Sequence, residues 1–384
     1  MKPVYLDYAA TTPLDERVLQ AMMPYLTDRF GNASAIYSFG REARQAVAAA
    51  REQVAALLQA DPSEIFFTSG GSESDNWAIK GMAFALRRAG RGSHIVTTRI
   101  EHPAVQNACR YLEQEGFSVT WLPVDIDGRV MPKAVQEAVR DDTILVSIMT
   151  ANNEVGTIEP ISEIGGWLQK RGIFFHTDAV QAAGHIPLAV DELHVDGLSL
   201  SSHKIYGPKG IGVLYIRRGF QPDSLIHGGE QERGLRAGTE NVAAIVGIGK
   251  ASELAMAELG PEWERLSELR DILIQEILAI DGTWINGDLK YRLPGSVNFG
   301  IKGLPHDSLL IRLDMAGFAV SAGSACSAGS LEPSHVLLAM GQTKAQASSA
   351  LRVTLGRFTT QDDLQRFVEA LADIVQALRN KEPK

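Results

Sequence analysis

Seven short strand-like runs occupy the middle of this chain and limit what it can become. They fall at 65–68, 94–98, 118–122, 144–149, 173–177, 197–201 and 212–216, with helical runs between several of them, as at 42–58 and 105–115. Such alternation predicts a mostly parallel sheet with helices on both faces. The last two runs are too close for a helical crossover, so they are expected to form an antiparallel edge. After about residue 250 the pattern changes. A polar helix over 261–278 is followed by short strands at 283–285 and 296–299. Thr360-Gln361-Asp362-Asp363 has the form of a capping box opening a last helix. Leu364, Phe367, Val368, Leu371, Val375 and Leu378 mark the buried face of that helix. The expected architecture is α/β, a large domain built on a seven-stranded sheet and a smaller α+β domain.

A chain of 384 residues can bury a large core and divide into two domains. Its net charge of −9 argues against nucleic-acid binding through a broad basic surface. No apolar stretch approaches the length of a membrane span, and Met1-Lys2-Pro3-Val4-Tyr5-Leu6-Asp7 has no signal-peptide character. The two cysteines, Cys109 and Cys326, form neither a disulfide framework nor a CxxC metal pair. No metal is expected. A reducing, cytoplasmic setting is, and it suits chemistry that needs a free thiolate.

Three segments carry candidate chemistry. In Leu198-Ser199-Leu200-Ser201-Ser202-His203-Lys204-Ile205-Tyr206-Gly207, an apolar run ends and delivers one lysine into a glycine-flanked turn. An amine held there suits imine formation with a carbonyl compound, although an isolated lysine is more often an ordinary surface residue. In Phe174-Phe175-His176-Thr177-Asp178-Ala179-Val180-Gln181, a strand delivers an aspartate at its carboxyl end, where open α/β sheets bind ligands. That aspartate could face a protonated ring nitrogen, or could cap a helix. In Ile65-Phe66-Phe67-Thr68-Ser69-Gly70-Gly71-Ser72-Glu73-Ser74-Asp75-Asn76, a strand, a glycine-serine turn and a helix start could cradle a phosphate, or form a plain βα turn. Neither a Walker nor a GxGxxG pattern is present.

Together these segments resemble the fold type I pyridoxal-phosphate enzymes of the class V aminotransferase group. A fourth narrows the resemblance: Ser321-Ala322-Gly323-Ser324-Ala325-Cys326-Ser327-Ala328-Gly329-Ser330-Leu331-Glu332-Pro333-Ser334-His335-Val336. One cysteine in a run of small residues is similar to the active-cysteine loop of the NifS/IscS-type cysteine desulfurases. The likeness runs from Tyr5 to Thr360.

The resemblance implies a large cofactor-binding domain over 15–255 and a small domain of 1–14 and 256–384 that carries the active-cysteine loop at 321–335. It implies that Lys204 holds pyridoxal phosphate covalently. Gly71, Ser72, Ser201 and His203 would bind the phosphate, Asp178 the ring nitrogen and Gln181 the phenolic oxygen. His102 would stack on the ring and act as an acid–base group, although it also reads as a polar residue ahead of a Pro-started helix. Asn153 would contact the ring oxygen or the substrate carboxylate, and Arg352 would grip that carboxylate in bidentate fashion. Thr239 would reach the phosphate of a neighbouring subunit, making the functional unit a homodimer.

Cys326 would take sulfur from L-cysteine as a persulfide, release alanine, and pass the sulfur to an acceptor protein such as an iron–sulfur scaffold. Cys109, on a helical run with Val105, Ala108 and Leu112, reads as core. The chain departs from such enzymes at Gly31-Asn32-Ala33-Ser34-Ala35-Ile36-Tyr37, where relatives often carry Gly-Asn-Pro-Ser-Ser and a histidine. Rival readings are an aminotransferase or selenocysteine lyase on the same cofactor, and a non-catalytic scaffold that has kept the fold.

Overall fold

The computed structural model describes residues 3–322 and 333–380. Its strands are β1 (Val4–Tyr5), β2 (Ile65–Thr68), β3 (His94–Thr98), β4 (Ser118–Leu122), β5 (Thr143–Ser147), β6 (Phe174–Asp178), β7 (Gly197–Ser201), β8 (Gly212–Ile216), β9 (Thr283–Asn286), β10 (Ser296–Ile301), β11 (Phe318–Ala319), β12 (Ser321–Ala322) and β13 (Ala350–Thr354). The seven runs read from sequence form one sheet in the order β2-β8-β7-β6-β5-β3-β4. From β7 outward to β4 the pairings are parallel, whereas β8 runs antiparallel to both its neighbours.

Here the sequence-based expectation needs correcting. The antiparallel strand is not the edge, because β2 pairs along its outer side from Ile65↔Tyr215 to Thr68↔Gly212. The partner comes from far earlier in the chain, so local spacing could not reveal it. Both faces of the sheet are covered, and β2, β3, β5, β6, β7 and β8 are buried along their whole length. Continuous apolar runs, rather than alternation, are what two covered faces demand.

A second apolar core gathers Val297, Phe299, Ile301, Leu351, Val353, Leu364, Phe367 and Leu371 around the sheet β12-β13-β10-β9. Val4 and Leu6 join it, because β1 pairs with β11. The capping box at Thr360 forms as expected and opens the helix Gln361–Arg379.

The helix expected over 261–278 instead starts at Val242 and runs unbroken to Leu278 with Pro261 inside it. Its buried residues stop at Ala255 and resume at Leu266. The proline therefore falls on a solvated stretch, where water can satisfy the carbonyl it leaves unpaired. The first part of this helix packs into the large core and the second into the small one. No helix among the described residues is long and apolar enough to cross a membrane.

Candidate active site

Strand ends assemble the site. A cavity of about 270 Å3 opens beyond the carboxyl ends of the parallel strands, lined by Gly71, Ser72, Asp75, His102, Asn153, Asp178, Gln181, Ser201, His203, Lys204 and Arg352, with Ala9 and Ala10. Asp178 is the last residue of β6 and Ser201 the last of β7, with Lys204 closing the 3-10 turn that follows. His102 follows β3, and Asn153 lies on the turn after β5. Ten of the sequence-derived candidates meet here. Thr239 does not line this cavity and is exposed. Cys326 lies outside the described residues.

Lys204 is no surface lysine. Its Nζ donates to the Ala10 carbonyl at 2.8 Å and to the Ala9 carbonyl. Gln181 Nε2 also donates to the Ala9 carbonyl, at 2.9 Å. These carbonyls belong to a strap, residues 6–15, stitched on both sides. On one side Thr354 N donates to the Leu6 carbonyl (2.8 Å) and Ala9 N to Thr354 Oγ1 (2.9 Å). On the other, Thr12 N donates to the His203 carbonyl and Tyr206 N to Thr12 Oγ1, both at 2.9 Å. Sequence reasoning missed the strap's part in the site, since a carbonyl leaves no residue-type signal.

It also missed Asp75. One helical turn beyond Gly71, this aspartate is buried on the side of its helix that faces β6, and that spacing was the available signal. Nitrogen and carboxylate oxygens of Asp75, His102 and Asp178 lie within 4.8 Å of one another. Burial and the Asp178 charge push Asp75 well above the usual carboxylate range. Burial raises Asp178 too, opposed by His102, the Val180 amide and Lys204.

Asp75 Oδ1 is buried without a hydrogen-bond partner among the described residues. His176 stands 3.8 Å from it, kept neutral by burial with a pKa down to about 3. Two carboxyls drawn out of water on one side of the cavity suit a group bearing a protonated ring nitrogen.

At the other end, the Gly71 backbone is pressed close. A Cβ there would lie 2.8 Å from Val180 Cγ2. Gly71, Ser72 and Ser201 thus leave room for backbone and hydroxyl donors to face a phosphate. His203 accompanies them, its pKa lowered to about 4 by burial and by Lys204 and Lys209, and its Nδ1 is 3.1 Å from Thr11 Oγ1. The residues present therefore fit pyridoxal phosphate at both ends.

His102 has the place that its plainer reading expects, and it borders the cavity as well. It caps the helix Pro103–Gln114, its Nδ1 accepting from Ala104 N at 3.2 Å, and it lines the cavity. With Nδ1 engaged as acceptor, Nε2 is the atom that can exchange a proton.

The asparagine pair divides its labour. Asn152 Oδ1 accepts from Glu154 N (2.8 Å) and Val155 N (3.0 Å), forming the turn, while Asn153 faces the cavity. Arg352, buried on β13, has the partner an arginine in an apolar strand requires. Its Nη2 donates to Asp7 Oδ1 at 2.7 Å and its Nη1 to the Asn153 carbonyl at 2.9 Å, while Nε has no partner among the described residues.

Cys109 is fully buried among apolar residues, which pushes its thiol pKa up and leaves it inert. The turn at Ala33 is braced. Asn32 Oδ1 accepts from Ser34 N at 2.9 Å, and Arg44 donates to the Ala33 carbonyl at 3.0 Å.

The chain matches the family described as aminotransferase class-V over residues 4–367. It is 53% identical over 383 residues to the cysteine desulfurase IscS of Dictyoglomus turgidum, covering 100% of this chain and 97% of that protein. It is 52% identical over 382 residues to the cysteine desulfurase IscS of Methanosarcina thermophila, covering 100% and 94%. Among solved structures it superposes on a NifS-like protein with a TM-score of 0.92 and 39% identity, over 98% of this chain and 100% of that one. It also superposes on SspA in complex with cysteine, with a TM-score of 0.82 and 40% identity, over 93% and 99%.

Proposed function

This chain belongs to the class-V aminotransferase family, and from that premise we infer that it is a pyridoxal-phosphate-dependent cysteine desulfurase, taking sulfur from L-cysteine and releasing L-alanine. One observation carries the reading: an amine, a buried carboxylate and a guanidinium line a single cavity in a chain about half identical to cysteine desulfurases along its whole length. The direct test supplies the purified protein with pyridoxal phosphate and L-cysteine and measures alanine and sulfide. Failure of both to accumulate would sink the reading.

Lys204 would hold the cofactor's aldehyde carbon, Asp178 its ring nitrogen and Gln181 its phenolic oxygen. Gly71, Ser72, Ser201 and His203 would hold its phosphate, completed by Thr239 from a second copy in a homodimer. When bound, the cofactor supplies an electron sink that lets the substrate Cα lose a proton. His102 Nε2 exchanges protons beside it. Arg352 and Asn153 orient the substrate carboxylate. Cys326 Sγ then bonds to the substrate sulfur as the carbon–sulfur bond breaks. The carbon takes a proton to become alanine, and Cys326 keeps a persulfide for an acceptor protein of the iron–sulfur scaffold kind, in the cytoplasm. The two cores support a division into a large domain at 15–255 and a small one of 1–14 and 256–384.

Two variants probe this assignment. Arg352→Lys removes the planar fork and is expected to raise KM for L-cysteine about tenfold or more, the scale of one charge-assisted hydrogen bond. An unchanged KM would take Arg352 out of substrate binding. Asp178→Asn keeps the shape but removes the charge facing the ring nitrogen, and kcat is expected to fall by about 100-fold or more. Steady-state kinetics on the cofactor-loaded variant checks this, and wild-type turnover would reassign the aspartate.

A further inference from the structure

Glu154 is buried and has no role in the chemistry above. It follows Asn153 on the turn beyond β5. Its carboxylate accepts from Ser334 Oγ, and its carbonyl accepts from Asn298 Nδ2 of β10 at 3.0 Å. Ser334 caps the helix His335–Ala339, its Oγ accepting from Leu337 N at 3.1 Å. His335 Nε2 bonds the Glu101 carbonyl at 3.1 Å, one residue before His102, and its Nδ1 lies 4.0 Å from Glu154 Oε1. Val336 and Leu337 pack with Ile100, Met149 and Val155 beneath.

We propose that Glu154 is a positioning residue for the desulfuration reaction: its carboxylate fixes Ser334 and His335, eight and nine residues after Cys326 in the chain, to the turn whose Asn153 carbonyl holds Arg352. This rests on the reading of the site as a desulfurase. Among the described residues, the Glu154 side chain hydrogen-bonds Ser334 and none of those assigned to cofactor or substrate, so it acts through Ser334. A carboxyl in this place is a poor choice for stability alone. Burial raises its pKa to about 7, against the Ser334 hydroxyl, Arg352 and His102, and an apolar side chain would cost less to bury. What the carboxyl provides is a directional acceptor for one hydroxyl that is itself committed to a helix cap.

The test compares Glu154→Met, which keeps length and removes the acceptor, with Glu154→Gln, whose amide oxygen can still accept from Ser334. Both are made in the cofactor-loaded enzyme. In Glu154→Met, the Leu337 amide is expected to exchange hydrogen about tenfold faster, the scale of one lost hydrogen bond. For L-cysteine, kcat is expected to fall about tenfold with KM held within about threefold, since Arg352 keeps both its own partners. Glu154→Gln is expected to restore both readouts.

Equal exchange in all three proteins overturns the proposal, as does an equal loss of kcat in the Met and Gln variants, or a change confined to KM. If Glu154→Met is insoluble, Ser334→Ala removes the same bond from its other side, and wild-type kcat there overturns the proposal. If the wild-type protein does not turn over cysteine, the desulfurase reading fails by itself and the exchange of Leu337 judges the anchor alone.

Discussion

Lys204→Ala is expected to lower release of alanine and sulfide from L-cysteine by about 100-fold to 10000-fold, the usual scale for losing a positioned catalytic acid–base group. The geometry explains why no neighbour can replace it. Lys209, the next lysine along the chain, is exposed and does not line the cavity. The Lys204 amine donates to two backbone carbonyls of the strap, so the backbone takes part in setting its place. The variant should also lose the yellow linkage of a lysine-bound cofactor, which borohydride bleaches while fixing the cofactor permanently on that lysine. Turnover near the wild-type rate, or trapping at a different lysine, would remove Lys204 from the centre of the mechanism.

Cys326→Ala is expected to separate cofactor binding from sulfur transfer. The residues assigned to the cofactor all lie elsewhere in the chain, so the yellow colour on adding pyridoxal phosphate should match that of the unaltered protein. Sulfide release should fall by at least about 100-fold, because the thiolate that attacks the substrate sulfur is gone. Cys109 cannot stand in, being fully buried with its thiol pKa pushed up. Persulfide labelling followed by peptide mapping checks the same point in the unmodified enzyme. A persulfide found on Cys109, or undiminished sulfide release in the variant, would refute the assignment.

Much of the large sheet was legible because its strands are short runs rich in apolar and β-branched residues, as at β2 and β8, set between helical or turn segments. Each observed strand begins or ends within two residues of its expected place. The position of β8 was not legible, since its second neighbour comes from a segment well over a hundred residues earlier and spacing reports only local chain. The polar pattern over 261–278 shows only the second half of the helix Val242–Leu278, because packing on either side of Pro261 carries the helix through it. Among the residues that line the cavity, Lys204, Asp178, His102 and Arg352 stand out in sequence by their side-chain chemistry and setting. Asp75 and Glu154 were passed over because a carboxylate is commonplace in sequence and gains meaning only when burial strips it of water. Asp7 escaped for a different reason. Its arginine partner lies on β13, at the far end of the chain.

The strap has a practical consequence for anyone producing this protein. A bulky segment fused ahead of β1 stands next in the chain to a ribbon that bonds both Lys204 and Arg352, so such a fusion is expected to lower activity and its cleavage to restore it. Affinity handles belong at the opposite terminus, beyond the helix Gln361–Arg379, which contributes no wall to the cavity.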